Sequence, residues 1–279
     1  MIQLAINYSP PASQLFAEGK IPLQRFKCPD WPDMIDDAIQ ELPVAVHFNL
    51  FAGRGKLEKT DWSLVSRLLK QTGTPYVNVH LEARASDFPD IPPESDAPAD
   101  VERIAERMLA DLQVVTRRFG AERVIAENVP YRQGDKLLRA SVDPDLIRRV
   151  ITESGAGLLL DLSHASISAA TLGMDEKEYF RRLPVKRLRE MHFTGIHNLQ
   201  GRLQDHLSAL PADWERLDWA LEQVHTSEWG PPWMLAFEYG GIGEKFASRS
   251  EPRVMLEQLP ILYSKLQAVR RTRLTTPEN

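Results

Sequence analysis

Six short runs of this chain end in an imidazole or a carboxylate. They are Val44-Ala45-Val46-His47, Tyr76-Val77-Asn78-Val79-His80, Val124-Ile125-Ala126-Glu127, Gly157-Leu158-Leu159-Leu160-Asp161, Arg189-Glu190-Met191-His192 and Met234-Leu235-Ala236-Phe237-Glu238. Three consecutive leucines read as a strand buried on both faces. Packing alone asks for no aspartate at the end of such a strand, because a buried carboxylate is costly unless it is paired or holds a metal. His164 follows Asp161 by three residues, and a polar stretch further on carries His197, Asp205 and His206. If these ends converge, Glu127, Asp161, Asp205 and Glu238 face a common cavity with His47, His80, His164, His192 and His206. Four crowded carboxylates raise one another's pKa values, and divalent cations remove that difficulty. Mixed imidazole and carboxylate donors suit Mn, Fe, Zn or Co and not Ca or Mg alone.

Each residue also has a plainer reading. A lone histidine at a strand end is more often a hydrogen-bonded core residue than a ligand, and an adjacent Asp-His pair in a polar loop is commonplace. His225, near the end of a helix, reads as a surface or capping residue. Asn7, Asn49, Glu82 and Asn128 are partners behind the site or polar strand termini. Trp214, Leu217, Trp219 and Leu221 have near-helical spacing and read as core. What resists a structural explanation is the recurrence of the pattern.

The chain has 279 residues, 43% hydrophobic content and a formal charge of −5 with interspersed signs. That allows one large α/β barrel or two small domains. It argues against nucleic acid as partner, since such proteins usually present a net basic surface. The single cysteine, Cys28, permits no internal disulfide and fits a reducing compartment. The first residues, Met1 to Asn7, read as a strand, not a signal peptide. No apolar run reaches the ~20 residues of a membrane span. The expectation is a cytoplasmic protein without a membrane partner.

Elements that would position the site follow from periodicity and punctuation. Strands are expected at Ile2 to Asn7, Ile21 to Lys27, Pro43 to Asn49, Pro75 to Glu82, Arg123 to Asn128, Gly157 to Asp161, Arg187 to Thr194 and Trp233 to Tyr239. Helices fall between them, including Asp30 to Leu42, Thr60 to Gln71 closed by Gly73, Asp100 to Phe119, Asp143 to Ser154 and Trp214 to Thr226. Glu251 to Arg270 closes the chain, with a frayed tail from about residue 271. Ala85 to Pro98 and Gly195 to Leu210 read as long polar loops. Strict alternation without a linker predicts a single domain over 1–279, a parallel (β/α)8 TIM barrel. The runner-up, an open doubly wound sheet, lacks a Gly-rich phosphate fingerprint after the first strand. In a barrel all six acid or imidazole endings fall on the C-terminal face, where catalysis sits. No Gly-x-Ser-x-Gly elbow and no Walker or dinucleotide motif is present.

The order His47, His80, Glu127, Asp161-x-x-His164, His192, Asp205/His206, Glu238 resembles the xylose isomerase-like TIM-barrel superfamily, which includes endonuclease IV. Two stretches, Leu158 to Asp161 running on to Gly173 and Glu190-Met191-His192-Phe193-Thr194-Gly195-Ile196-His197, resemble the multinuclear non-haem iron oxidative enzymes that modify peptides. The resemblance implies a central metal on Glu127, Asp161, His192 and Glu238, and a second on His47 and His80 with Glu127 bridging. It implies a third on His164 with Asp205 and His206. Endonuclease IV has Asp-x-His where this chain has adjacent Asp205 and His206. The iron family often has Asn where this chain has Ser163-His164.

Two functions follow most directly. One is a sugar isomerase or epimerase, in which a cation polarises a carbonyl and Glu127 or Glu238 shuttles the proton. The other is an iron-dependent oxidative enzyme acting on a peptide or small thiol, which also employs the extra histidines. His197 stands with Glu127 and Glu238 as a candidate catalytic residue. An endonuclease IV-like phosphodiesterase and a non-catalytic metal-binding barrel are the alternatives. All these readings place one to three divalent ions (Fe, Mn or Zn) on the chain, and the enzymatic ones other than the phosphodiesterase take a small-molecule or peptide substrate.

Overall fold

The structure is a computed structural model that describes residues 2–243 and 249–275, with side chains placed through 269. In chain order the principal elements are β1 (Gln3–Asn7), α1 (Pro10–Ala17), β2 (Arg25–Pro29), α2 (Pro32–Ala38), β3 (Val44–His47) and β4 (Phe51–Ala52). Next come α3 (Trp62–Thr72), β5 (Val77–Leu81), α4 (Pro98–Phe119), β6 (Val124–Asn128), α5 (Pro144–Ser154), β7 (Gly157–Asp161), α6 (Leu162–Leu172) and α7 (Glu176–Arg182). The chain ends with β8 (Leu188–Phe193), β9 (Gly195–Leu199), β10 (Arg202–Leu207), α8 (Pro211–His225), β11 (Met234–Phe237) and α9 (Pro252–Thr275). Residues 276–279 of the expected tail lie outside the described residues.

Nine strands form one parallel sheet in the order β3-β2-β1-β11-β8-β7-β6-β5-β4. The sheet curls so that β3, at one end, comes to face β5, next to the short end strand β4. Side chains bridge that seam: Asn78 on β5 accepts from Phe48 N at 2.7 Å and donates to Phe48 O at 3.2 Å, and Thr74 Oγ1 accepts from Val46 N at 3.0 Å. An asparagine amide imitates the ladder where the backbones diverge.

Local chemistry explains the elements. Asp61 accepts from Ser63 N and Leu64 N to start α3, and Gly73 at φ 66° ends it. Asp143 caps α5 in the same way, with Pro144 in the first turn. The helices cover the outer face of the sheet. Leu158, Leu159 and Leu160 are wholly buried, each worth roughly 2 kcal/mol of transfer free energy. The barrel lumen holds a second, small apolar cluster of Ala5, Ala45, Met234 and Ala236. Three of the four are alanines, and long polar side chains enter beside them.

The segment expected as a polar loop, Gly195 to Leu210, is chiefly an antiparallel hairpin of β9 and β10. Its turn, Gln200-Gly201, has positive φ at both positions, 57° and 83°, the conformation of tight hairpin turns. Polarity concealed the strands because the hairpin stands off the barrel and little of it is buried. The second strand begins at Arg25, not Ile21, although Ile21 and Leu23 are buried. Among the described residues no helix is long and apolar enough to cross a membrane.

Candidate metal centre

His47, His80, Glu127, Asp161 and His192 end or nearly end β3, β5, β6, β7 and β8, and Glu238 follows β11. The curled sheet brings them to one face. His47 Nε2 and His80 Nε2 lie 3.0 Å apart, and both face Glu127 Oε2, at 3.4 and 3.2 Å. His80 Nδ1 donates to the Leu50 carbonyl at 3.0 Å, which leaves its Nε2 lone pair pointing inward. Burial, reinforced by the Lys27 charge, holds His47 well below the usual imidazole pKa, so this ring is neutral.

His192 is fully buried. Its Nε2 donates to Glu190 Oε1 at 2.9 Å, and Glu190 Oε2 in turn accepts from Trp233 Nε1 at 2.8 Å. His192 Nδ1 therefore faces Glu238 Oε1 at 3.1 Å and Glu127 Oε1 at 3.6 Å. Asp161 divides its two oxygens between tasks. Oδ1 accepts from His164 N at 2.7 Å and starts α6, while Oδ2 lies 3.5 Å from His164 Nε2. Asn128 fixes the Asp161 backbone through paired bonds of 2.9 and 3.0 Å. Burial pushes the Asp161 carboxyl up to about 6 against the pull of His164.

His164 Nδ1 donates to the Asn128 carbonyl at 3.0 Å, and its Nε2 lies 3.3 Å from Asp205 Oδ2. Burial lowers the His164 pKa, but Asp161 and Asp205 outweigh it and carry the ring up to about 10. Asp205 and His206 are neighbours, which would place them on opposite faces of a regular strand. Here the β10 register shifts between Gln204 and Leu207, and His206 sits at φ 58°. The irregularity turns both toward the centre. His206 Nδ1 donates to the Glu238 carbonyl at 3.1 Å, and its ring lies 6.1 Å from that of His164. Arg132 anchors this strand through Leu203 O at 2.6 Å and Asp205 Oδ1 at 3.3 Å.

Donor atoms of His47, Glu127 and His192, of Asp161, His192 and Glu238, of Glu127, Asp161 and His164, and of His164, His206 and Glu238 each fall within 4.8 Å of one another. Glu127 Oε2, His192 Nδ1 and Asp205 Oδ2 are buried without a hydrogen bond, although imidazole or carboxylate groups lie 3.1–3.6 Å away. Unsatisfied buried atoms of this kind call for an explanation. Imidazole nitrogens oriented by carbonyl or carboxylate acceptors, facing buried acid oxygens at 3.1–3.6 Å, fit one or more first-row divalent ions.

His197, by contrast, is on β9, and its Nε2 donates to Ser208 O at 2.8 Å within the hairpin. His225 ends α8, away from the centre. Trp214 and Trp219 pack against the core as expected. Glu82 pairs with Arg54 and Arg84 beside the mouth of the site.

Two residues were missed. Glu190 precedes His192 by two positions, so strand alternation puts both on one face, and that spacing was readable. Lys27 is a buried lysine on β2 whose Nζ pairs with Glu238 Oε1. A charge within Phe26-Lys27-Cys28 is the same anomaly as Asp161, but it lies in a strand whose sequence is weakly patterned.

Residues 29–229 match the family described as RiPP precursor modification enzyme MbnB/TglH/ChrH. The chain is 29% identical over 167 residues to a UPF0276 protein of Pseudomonas aeruginosa strain UCBPP-PA14, and 28% identical over 167 residues to one of strain PAO1. Each match covers 58% of this chain and 56% of the relative, so the chain spans little more than half the length of these curated relatives. Solved structures with the same fold include mannonate dehydratase from Streptococcus suis serotype 2 (TM-score 0.60, 13% identity, 100% of this chain and 97% of that one). Endonuclease IV from Thermus thermophilus is another (0.54, 13%, 95% and 99%), as is D-psicose 3-epimerase from Clostridium cellulolyticum (0.53, 12%, 97% and 99%). At these identities the likeness is one of fold, the xylose isomerase-like TIM barrel.

Proposed function

The chain belongs to the MbnB/TglH/ChrH family of RiPP precursor modification enzymes, and from that premise we propose that it is a multinuclear metal-dependent enzyme that oxidatively modifies a peptide. The whole chain acts as one barrel domain. The observation that carries the reading is the pair His47 and His80, whose Nε2 atoms meet Glu127 Oε2 at 3.4 and 3.2 Å. A single-metal isomerase needs only the set around Glu127, Asp161, His192 and Glu238, and leaves these two imidazoles without a task.

In this proposal His47, His80 and Glu127 hold one ion, and Glu127, Asp161, His192 and Glu238 hold a second. His164, Asp205 and His206 hold a third. Iron bound there supplies one-electron and O2 chemistry that protein side chains lack. The protein's own part is to orient and exclude. Glu190 fixes the His192 tautomer, Leu50 that of His80 and Asn128 that of His164. His206 is the most exposed of the site imidazoles, at 32% of its side chain, so substrate approaches past the hairpin. His197 is reassigned from catalysis to holding the hairpin.

The test is to incubate iron-loaded protein under O2 with cysteine-containing peptides and, separately, with a panel of aldoses and ketoses. An O2-dependent mass change in a peptide supports the proposal. Sugar interconversion without O2 would replace it with the isomerase reading.

A further inference from the structure

One buried charge has no part in ligation. Lys27 aligns with Asn7 on β1 and Ala45 on β3 in the barrel ladder. Its side chain is 6% exposed, and among the described residues Glu238 Oε1 is the hydrogen-bond partner of its Nζ. The same oxygen lies 3.1 Å from His192 Nδ1, and the other, Oε2, lies 3.6 Å from His206 Nδ1. Glu238 is thus divided between a fixed cation and the hairpin imidazole.

An ammonium offers three donors and is costly to bury with one acceptor. The lumen around it is lined by Ala5, Ala45 and Ala236, and a methionine would fill the space without that cost. Packing therefore does not account for the residue. Its charge is offset by the field of Glu238, Glu127 and Glu190, two of which face the metal donors.

We propose that Lys27 is a positioning residue for metal loading. It keeps one oxygen of Glu238 away from the ion and places a fixed positive charge beside it. The central ion is then held by fewer protein donors and less tightly than the carboxylates alone would hold it, which leaves room for a substrate atom. This rests on the metal-dependent reading of the site. The sign is set by Coulomb's law, since a fixed cation a few ångströms from a dication repels it even at an effective dielectric of about 20.

The experiment is a Co2+ titration of the whole metal-free 279-residue chain, read by visible absorption and by competition with a chromogenic chelator. Lys27→Met is expected to bind the central ion at least about tenfold tighter than the wild type, and Lys27→Arg, which keeps the charge, to remain near the wild type. Lys27→Gln, neutral but polar, is expected to follow Lys27→Met and replaces it if near-UV circular dichroism shows that variant unfolded. Equal or weaker binding by the folded neutral variants would overturn the proposal. A wild-type chain that takes up no Co2+ would overturn the metal reading itself, and this inference with it.

Discussion

His47, His80 and Glu127 stand at the ends of barrel strands, whereas Asp205 and His206 stand on a hairpin that leaves the barrel. On the strand side, positions follow from a parallel ladder with fixed register, and Glu127 is 1% exposed. On the hairpin side, two neighbouring residues face one centre only because β10 is irregular and His206 adopts a positive φ. That conformation costs about 1–2 kcal/mol for a non-glycine residue, offset here by bonds from His206 N to Thr194 Oγ1 at 3.2 Å and from Nδ1 to Glu238 O. The difference teaches that one half of the centre is preorganised by the fold and the other by local strain that a few contacts maintain.

The largest expected effect breaks both sides together. Glu127 faces His47, His80, His164 and His192. Glu127→Gln is expected to lower metal affinity by more than about 100-fold, beyond the range of outer-shell changes, with metal content as the readout. A variant that kept the wild-type metal content would show that Glu127 is only a structural acid.

Gly195→Ala separates the sides. A Cβ at Gly195 would lie 1.9 Å from Ser208 O, so the base of the hairpin must shift at a cost of about 1–3 kcal/mol. The expected result is loss of the hairpin-side ion with the strand-side ion retained. Equal loss on both sides would mean that the two halves are not independent.

Arg132→Ala sharpens the same contrast more gently. Without its bonds to Leu203 O and Asp205, the hairpin-side ion is expected to bind about 10-fold more weakly, with no change on the strand side, in a chelator-competition series. A change of strand-side affinity of similar size would contradict the division.

The smallest effect tests rigidity of the strand wall. Burial pushes the Cys28 thiol, on β2, up to about 12 from 9.0. The folded state therefore favours the protonated thiol. Its contribution to stability is complete below pH 9.0 and is lost as pH rises toward about 12. Metal-free protein at pH 8 is expected to resist iodoacetamide and to react once unfolded. Rapid alkylation on metal removal alone would show that the strand wall opens.

The barrel and its six strand-end residues were legible because each buried strand is a short apolar run, and a charge at its end is conspicuous. Glu190 hid in plain alternation, and Lys27 in a strand with little pattern. The hairpin was read as loop because its strands bury little on either face and so carry no hydrophobic period. For the same reason no periodicity could show that adjacent Asp205 and His206 face one centre. That depends on a backbone irregularity, which side-chain sequence does not encode directly. His197 attracted a catalytic reading through its place in the strand-eight segment, but alternation carries its ring to a hairpin carbonyl instead.

The most direct test of the central claim is the metal content of the 279-residue chain, purified without chelator or nickel affinity, by elemental analysis beside an anaerobic visible spectrum. Two or three irons per chain with an absorption of carboxylate-bridged iron is the predicted result. A chain that holds no stoichiometric metal, even after anaerobic reconstitution with Fe2+, would contradict it.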